Sequence, residues 1–296
     1  MTVPSDRVLA IDIGGTKLAF AEVSGEDVIG RDQIHTPRSG GDVLVDAIAA
    51  QIRGRGASRV AIATTGIVQE GTLTALNPAT LPIEDHYPLA RRIAAVAGVT
   101  PLIVNDAQAA AWGEYKFGAG RGRRNFMFVT VSTGVGGGLV VEGDLLTGRR
   151  GLAGHVGHIP ITGAVRVCGC GRRGCLETVA SGTAIAARYA ERTGRAVKAP
   201  DVFAAARSGD EDADLILDEA ASALAEMFAN IVAANDPDSI ALGGGVGLAE
   251  TFLDRVQRHC SALPAVFQRP VETVKAGSDA GMIGVADLFV KKNFIR

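Results

Sequence analysis

The stretch VLAIDIGGTKLAFAEV, residues 8–23, decides the fold class. Val8–Ile13 and residues 18–23 are short apolar runs, and Gly14-Gly15 separate them. Two apolar runs with a glycine break between them predict two strands joined by a tight turn. Glycines leave the backbone of such a turn bare, so a bound partner can approach it closely.

The second half of the chain opens with the same pattern. Phe126–Val131 and residues 139–141 are apolar runs, and the glycine-rich segment 132–138 lies between them. Around these two hairpins, apolar runs alternate with segments of helical periodicity, which predicts an α/β fold. The predicted strands are Val60–Thr64, 102–104 and 239–242, and the predicted helices are 42–53, Leu89–Ala97, 107–117, 210–235, a helix that begins at Leu248, and 281–290.

The recurrence of the hairpin predicts a duplicated architecture with two lobes. We place the N-terminal α/β lobe at residues 1–117 and expect a C-terminal helix, residues 281–296, to pack back on it. The C-terminal α/β lobe then spans residues 118–280 and contains the cysteine-rich loop at 158–177.

The composition favours a small molecule as the partner. The 296 residues carry a net charge of −2 with scattered Lys and Arg, so we expect neither nucleic acid nor membrane as a partner. No apolar run approaches the roughly 18 residues of a membrane span, and residues 1–7 lack a signal-peptide pattern, which predicts a cytoplasmic protein. The residues ahead of the first predicted strand are too few for a DNA-binding module.

Three of the four cysteines crowd into one short segment. In a reducing compartment, this crowding favours metal binding over disulfides. The spacing Cys168-x-Cys170-x4-Cys175, preceded by His158, supplies the ligands of a closed tetrahedral zinc site. His155 is an alternative fourth ligand; we favour His158, although the spacing does not exclude His155.

Three glycine-rich turns offer backbone N–H groups and small hydroxyls that could surround phosphate groups. They lie at residues 12–17, 132–138 and 243–247. A single turn of this kind is weak evidence, because glycine at a hairpin most often serves turn geometry alone. None of the three matches the pattern Gly-x4-Gly-Lys-Ser/Thr, so any phosphate site here is not a P-loop.

Asn105 and Asp106 stand where a predicted strand passes into a predicted helix. An Asp just before a helix is most often its N-cap, and we predict that role for Asp106. A carboxylate at a strand end can also orient a substrate hydroxyl toward a phosphate and accept its proton, and the two roles are compatible.

Five segments together resemble the ROK sugar kinases, whose fold is the actin-like ATPase fold, a duplicated ribonuclease H-like architecture. They are residues 12–17, 105–106, 132–138, 154–158 and 168–177, and the resemblance extends over nearly the whole chain. The resemblance implies two lobes with a cleft between them. It further implies a sugar and ATP with Mg²⁺ as ligands, a structural Zn²⁺, and a homodimer.

The resemblance also implies roles for individual residues. Asp106 matches the catalytic base that accepts the proton of a sugar hydroxyl. The residues that match sugar-binding positions are Gly66, Asn77, Asn105, Asp106, His155, His158 and Glu177. Asp12 matches a carboxylate that positions Mg²⁺ and phosphates. The residues that match nucleotide-binding turns are Gly14, Gly15, Thr16, Lys17, Thr133, Gly134, Gly244 and Gly245.

One position departs from the usual family pattern Gly-Glu-x-Gly-His. His155 occupies the slot of the Glu, which changes both the charge and the reach of the side chain toward a sugar. This departure disfavours a glucose-specific member and resembles the members that phosphorylate N-acetylmannosamine at its 6-hydroxyl in sialic acid catabolism. Another hexose or N-acetylhexosamine, as in a glucokinase, remains the alternative substrate.

The predicted metal site has all four positions filled by protein ligands. Such a metal has no open position for water, so we expect it to be structural. It would fix the loop bounded by His158 and Glu177, two residues that resemble sugar contacts.

Overall fold

The computed structural model describes residues 7–76 and 80–294, and the chain divides into two compact units. Unit 1 contains the described residues of Met1–Gly118, Thr147–Ala153 and Ala276–Arg296. Unit 2 contains Ala119–Leu146 and Gly154–Lys275. Among the described residues, no helix has both the length and the apolar character needed to cross a bilayer.

The chain alternates strands and helices throughout. The strands are β1 (Val8–Ile13), β2 (Lys17–Ser24), β3 (Asp27–His35), β4 (Val60–Thr64), β5 (Ile67–Gln69), β6 (Thr72–Thr74), β7 (Leu102–Asn105), β8 (Phe126–Val131), β9 (Val135–Val141), β10 (Asp144–Leu146), β11 (Ser239–Gly243) and β12 (Val271–Thr273). The helices are α1 (Gly41–Arg55), α2 (Leu89–Ala97), α3 (Asp106–Phe117), α4 (Glu177–Ala180), α5 (Gly182–Thr193), α6 (Ala199–Arg207), α7 (Glu211–Asn235), α8 (Gly244–Gly247), α9 (Phe252–Ser261) and α10 (Ala280–Phe294). Short 3-10 turns occur at Val156–His158, Ala265–Phe267 and Gly277–Asp279.

Unit 1 is built on a five-stranded sheet in the order β3-β2-β1-β4-β7. β1 pairs antiparallel with β2 and parallel with β4, and β4 pairs parallel with β7. The register places Ile13 beside Thr64 and Thr64 beside Asn105. The carboxyl ends of the three parallel strands therefore meet at one edge of the sheet, the usual place for a ligand in an α/β sheet.

Helices α3 and α10 approach closely inside unit 1 because each presents a glycine to the other. A Cβ on Gly113 of α3 would lie 2.1 Å from a backbone oxygen of α10, and one on Gly284 of α10 would lie 1.9 Å from a backbone oxygen of α3. Buried Trp112 strengthens the contact, since its Nε1 donates to Asp287 Oδ2 at 2.7 Å. The C-terminal helix thus belongs to the core of unit 1.

Unit 2 repeats the plan of unit 1 with a sheet in the order β10-β9-β8-β11-β12. β8 pairs antiparallel with β9 and parallel with β11, and β11 pairs parallel with β12. Helix α7 supplies much of the core, because its apolar positions form a buried stripe that packs with α5, α6 and α9. The predicted duplication of a hairpin followed by parallel strands is therefore confirmed in the two sheets.

Most predicted elements coincide with observed ones. The predicted turn at 132–138 is too long, because β9 begins at Val135. The elements α5, α6, β5, β6, β10 and β12 were not predicted. The helix predicted from Leu248 is wrong: α8 ends at Gly247, and α9 begins only at Phe252. Thr251 adopts a left-handed conformation with φ of 68°, which prevents one continuous helix. The edge strand β3 was not predicted, because its mostly exposed residues show no apolar run.

The predicted lobe ranges differ from the observed units at Gly118, at residues 276–280 and in one internal segment. Residues 147–153, placed in the C-terminal lobe by sequence, lie in unit 1. The buried side chain of Gln108 in α3 donates from Nε2 to the carbonyl oxygens of Gly151 at 3.3 Å and Ala153 at 2.8 Å. This polar contact was not readable from sequence, because it joins residues that are distant along the chain.

We expect Gly284→Ala to lower the free energy of unfolding by about 1–3 kcal/mol, because a methyl group forces the backbones of α3 and α10 apart. Gly54 in α1 is the matched control, since its ideal Cβ meets nothing within 4 Å. Gly54→Ala should raise stability by up to about 1 kcal/mol through helix propensity alone. Denaturant titrations that gave both variants the same stability would contradict the close packing of α3 on α10.

Candidate active site and metal cluster

Two carboxylates lie at the edge of the unit 1 sheet where the parallel strands end. Asp12 is next to the last residue of β1, and Asp106 is the first residue of α3, directly after β7. Burial and the negative charge of Asp106 raise the pKa of Asp12 to about 6, while Lys17 opposes the shift. Burial also raises the pKa of Asp106, although the Ala107 N–H, 2.8 Å from Oδ1, opposes it. The pair is electrostatically coupled, as functional carboxylates often are.

Asn105, rather than Asp106, is the N-cap of α3, so the capping role predicted for Asp106 is wrong. Asn105 has extended backbone angles, and its Oδ1 accepts from the Gln108 N–H at 3.1 Å. Its Nδ2 donates to the Gly66 carbonyl oxygen at 2.9 Å. Because Asn105 does the capping, the carboxylate of Asp106 is left at the strand end, where it can meet a ligand.

Hydrogen bonds to Gly14 stabilise the glycine-rich turn that follows β1. The Gly14 N–H donates to the Lys17 carbonyl oxygen at 3.0 Å, and Thr36 Oγ1 donates to the Gly14 carbonyl oxygen at 2.7 Å. The predicted phosphate contacts Thr16 and Lys17 are exposed in this turn. The turn directly follows β1, so Asp12 and the turn lie in one short segment of unit 1.

Gly66 requires glycine for two reasons. Its φ of 97° lies in the left-handed region, and a Cβ would lie 2.7 Å from the Thr74 carbonyl oxygen. The structure thus joins Gly66 to Asn105 at the sheet edge, as a shared site requires. Asn77, also predicted to line the sugar pocket, lies outside the described residues.

The glycine-rich turn of unit 2 is anchored to the start of α5. The Gly182 N–H donates to the Ser132 carbonyl oxygen at 2.8 Å. Thr183 donates to the Thr133 carbonyl oxygen from its N–H at 3.3 Å and from its Oγ1 at 2.9 Å. Thr183 was not identified from sequence, although Ser181 ahead of it is a helix-start signal that locates α5.

A cavity of about 630 Å³ in unit 2 joins two of the predicted nucleotide-binding turns. Thr133 lines it from one turn and Gly245 from the other. Apolar side chains form much of the remaining wall; they include Val197, Pro200, Phe203 and Val246. A cavity with an apolar wall suits a planar base.

Gly244 lies at the same end of the unit 2 sheet, directly after β11. Its φ is 84°, and a Cβ would lie 2.3 Å from the Val131 carbonyl oxygen. Glycine at this position is therefore required by the close packing of the turn on β8.

His158 and three cysteines form a compact cluster of possible metal ligands in unit 2. One donor atom from each of His158, Cys168, Cys170 and Cys175 lies within 4.8 Å of the others. The Cys170 and Cys175 Sγ atoms are 3.7 Å apart, and Cys168 Sγ is 3.6 Å from His158 Nδ1. Two thiolates bound about 2.3 Å from one tetrahedral zinc would be separated by about 3.8 Å, so the cluster fits that metal.

His155 stands beside this cluster and not in it. Its ring is nearly parallel to that of His158, with 6.4 Å between the ring centroids.

Burial raises the pKa of the Cys175 thiol to about 12, so the thiol ionises readily only when a cation replaces its proton. The four free cysteines include Cys260, which is buried in α9 away from the cluster.

The sequence model of the ROK family matches residues 8–292. The chain belongs to the ROK family. N-acetylmannosamine kinase from Yersinia pestis (strain Pestoides F) is 44% identical over 283 residues, which cover 94% of this chain and 96% of that relative. The two-unit architecture is accordingly the actin-like ATPase fold of ROK sugar kinases.

Solved structures of ROK proteins match the chain almost from end to end. A ROK hexokinase from Thermus thermophilus superposes with a TM-score of 0.83 at 30% identity and covers 97% of this chain and 99% of its own. A ROK glucokinase from Streptomyces griseus, in complex with glucose and AMPPNP, superposes with a TM-score of 0.80 at 30% identity and covers 95% and 98%.

We expect Asp106→Asn to lower the pKa of Asp12 from its value of about 6, because the substitution removes the neighbouring negative charge. Carbon-13 NMR titration of the Asp12 carboxyl would measure the change. The matched control is Asp46→Asn, which removes an Asp of α1 that does not contribute to the Asp12 shift. An unchanged Asp12 titration in Asp106→Asn would contradict the electrostatic coupling of the two carboxylates.

Proposed function

We propose that the chain transfers the γ-phosphoryl group of ATP to the 6-hydroxyl of N-acetyl-D-mannosamine. The observation that carries the proposal is 44% identity, over 94% of the chain, to a relative named N-acetylmannosamine kinase. The placement of Asp106 at a strand end of unit 1 supports the reaction type. We further propose that the product enters sialic acid catabolism.

Asp106 is the base in the proposed reaction. A carboxylate is a weak base toward an alcohol, so proton transfer comes late, after the bond to phosphorus has largely formed. The main contribution of Asp106 is then to orient the 6-hydroxyl for attack on the γ-phosphorus. Asn105 supports this role because it caps α3 and thereby fixes the backbone of Asp106.

Asp12 acts on the phosphate side of the reaction. Its raised pKa reflects unfavourable burial of its charge beside Asp106, and a nearby Mg²⁺ favours the ionised form. We propose that Asp12 positions the Mg²⁺ of MgATP, while Gly14, Gly15, Thr16 and Lys17 supply contacts to the phosphates.

Unit 2 supplies the nucleotide pocket in this proposal. Thr133 and Gly134 approach the phosphates, and Gly244 and Gly245 lie against the adenosine. The apolar wall of the 630 Å³ cavity suits the adenine ring. The hydrogen bonds from α5 to Ser132 and Thr133 hold the turn in place before the nucleotide binds, which reduces the entropy lost on binding.

The sugar preference is assigned to the segment around His155. We propose that Gly66, Asn77, Asn105, His155, His158 and Glu177 bind the sugar. His155 is half-buried and stands where glucose-type members carry a carboxylate. An imidazole can donate a hydrogen bond where a carboxylate only accepts, so it suits a substituent with an acceptor oxygen such as the acetamido group.

We also propose a structural zinc ion held by His158, Cys168, Cys170 and Cys175. The donor distances fit a tetrahedral ion, and four protein ligands leave no position for a catalytic water. The free thiols suit the reducing cytoplasm, where we place the protein. Membership of the family is the basis for proposing a homodimer.

Cys170→Ser should remove most of the bound zinc, because a serine hydroxyl is a far weaker zinc ligand than a thiolate. Metal analysis of purified protein measures the result. Cys260→Ser is the matched control, since it replaces a buried cysteine outside the cluster and should keep the zinc. Equal zinc contents in the two variants would rule out the proposed ligand set.

A coupled ADP assay over N-acetylmannosamine, glucose, N-acetylglucosamine and mannose tests the proposed substrate. We expect the highest kcat/KM for N-acetylmannosamine and a loss of about 10²–10⁴-fold in kcat for Asp106→Ala, the usual contribution of an acid–base group. A preference for glucose would support the second candidate, another hexose kinase, which the 30% identity to a ROK glucokinase favours. Near-normal turnover of Asp106→Ala would refute the base assignment.

A further inference from the structure

The carboxylate of Glu177 contacts the glycine-rich turn of unit 2 directly. Glu177 Oε2 accepts from the Val135 N–H at 3.1 Å. A Cβ on Gly134 would lie 2.6 Å from the same oxygen, so the carboxylate also packs against that glycine. The turn that we assign to the phosphates is thus held on this side by one acidic side chain.

Glu177 is itself placed by the metal cluster. It begins α4, a helix of four residues that cannot be stable alone. The Cys175 carbonyl oxygen accepts from the Thr178 N–H at 2.9 Å and from Thr178 Oγ1 at 2.7 Å, which fixes this short helix to a cluster residue. The Cys168 Sγ lies 4.0 Å from Glu177 Oε1. Cys175 therefore fixes the start of α4 together with buried Leu176, and Cys168 lies beside the carboxylate.

The opposite side of the turn has a separate support. Ser132 and Thr133 are bonded to the first residues of α5, and those bonds involve no residue of the cluster. The Val135 end of the turn is the part that depends on Glu177. Disorder of the cluster would therefore loosen one end of the turn and leave the other end attached.

We propose that Glu177 is a positioning residue that couples the metal cluster to the turn at residues 132–134 and the start of β9, so that bound zinc strengthens nucleotide binding. This inference rests on the proposed function. It adds to the sugar contact that the family resemblance implies for Glu177. A residue that only contacted sugar would not affect nucleotide binding in the absence of sugar.

A thermodynamic cycle of metal removal and substitution tests the coupling. Wild type and Glu177→Ala are each prepared with zinc and after stripping by a chelator, which is removed before MgCl₂ is added. Calorimetry then measures AMPPNP binding without sugar. We expect Glu177→Ala to weaken binding by about 10-fold, the effect of one hydrogen bond to a charged acceptor. Removal of zinc should weaken AMPPNP binding by wild type to a similar extent. It should weaken AMPPNP binding by Glu177→Ala much less, because coupled effects are not additive.

Two further variants separate positioning from general damage. Glu177→Gln keeps a neutral acceptor oxygen for Val135 and should recover part of the lost affinity. Glu191→Ala is the matched control, because Glu191 pairs with Arg166 of the cysteine loop and its loss should leave AMPPNP affinity unchanged. Circular dichroism and zinc analysis of every variant verify the fold and the metal. If Glu177→Ala fails to fold, the AMPPNP affinity of the zinc-stripped wild type tests the inference.

Three results would each overturn the inference: unaffected AMPPNP binding in Glu177→Ala, unaffected AMPPNP binding in zinc-stripped wild type, or zinc removal that weakens AMPPNP binding by the same factor in both proteins. A rise in sugar KM with unchanged AMPPNP affinity would leave Glu177 as a sugar contact alone. Failure of zinc-loaded wild type to bind AMPPNP would instead overturn the proposed function, and the inference with it.

Discussion

The parallel register of β1, β4 and β7 is the constraint on which the candidate site of unit 1 depends. Backbone hydrogen bonds place Ile13, Thr64 and Asn105 side by side, so the segments that follow them leave the sheet at the same edge. Asp12, Gly66 and Asp106 are distant in sequence and become neighbours for this reason alone. Unit 2 obeys the same rule where β8 and β11 end together.

The convergence of strand ends has a cost in stability. Burial and Asp106 raise the pKa of Asp12 from 3.8 to about 6, so the native protein binds this proton more tightly than the unfolded chain does. Stability from this group is therefore greatest at low pH and is lost as pH rises through about 6; a shift of this size corresponds to about 3 kcal/mol. The proposed role requires the ionised form. Function and stability thus favour opposite protonation states of Asp12, as is common at active sites.

The sequence predicts what depends on local pattern. Val8–Ile13, Val60–Thr64 and Leu89–Ala97 match observed elements residue for residue, because apolar runs and helical periodicity are local. The choice of Asn105 as the N-cap was not predictable, since adjacent Asn and Asp are equally suited and backbone angles decide between them.

Contacts between distant segments, such as Glu177 with Val135 or Gln108 with Gly151, leave no periodic signal in the sequence. The ligand spacing of the cysteine loop is the exception. It is a long-range feature that can be read directly, because zinc chemistry restricts both the residue types and their separation.

A metal ion that takes no part in catalysis would still have a structural role in the cysteine loop. Between Val156 and Glu177, regular structure is limited to one 3-10 turn and two isolated bridges, at Pro160 with Cys175 and Val167 with Arg173. Val165 and Val167 in the middle of the segment remain exposed, whereas Ile161 and Leu176 near its two ends are buried in the core of unit 2. A tetrahedral ion would add four directional bonds in the exposed middle of the segment. The ligand geometry would then order the loop between these buried ends. Glu177, which lies directly after buried Leu176 and two positions after Cys175, takes its position from both.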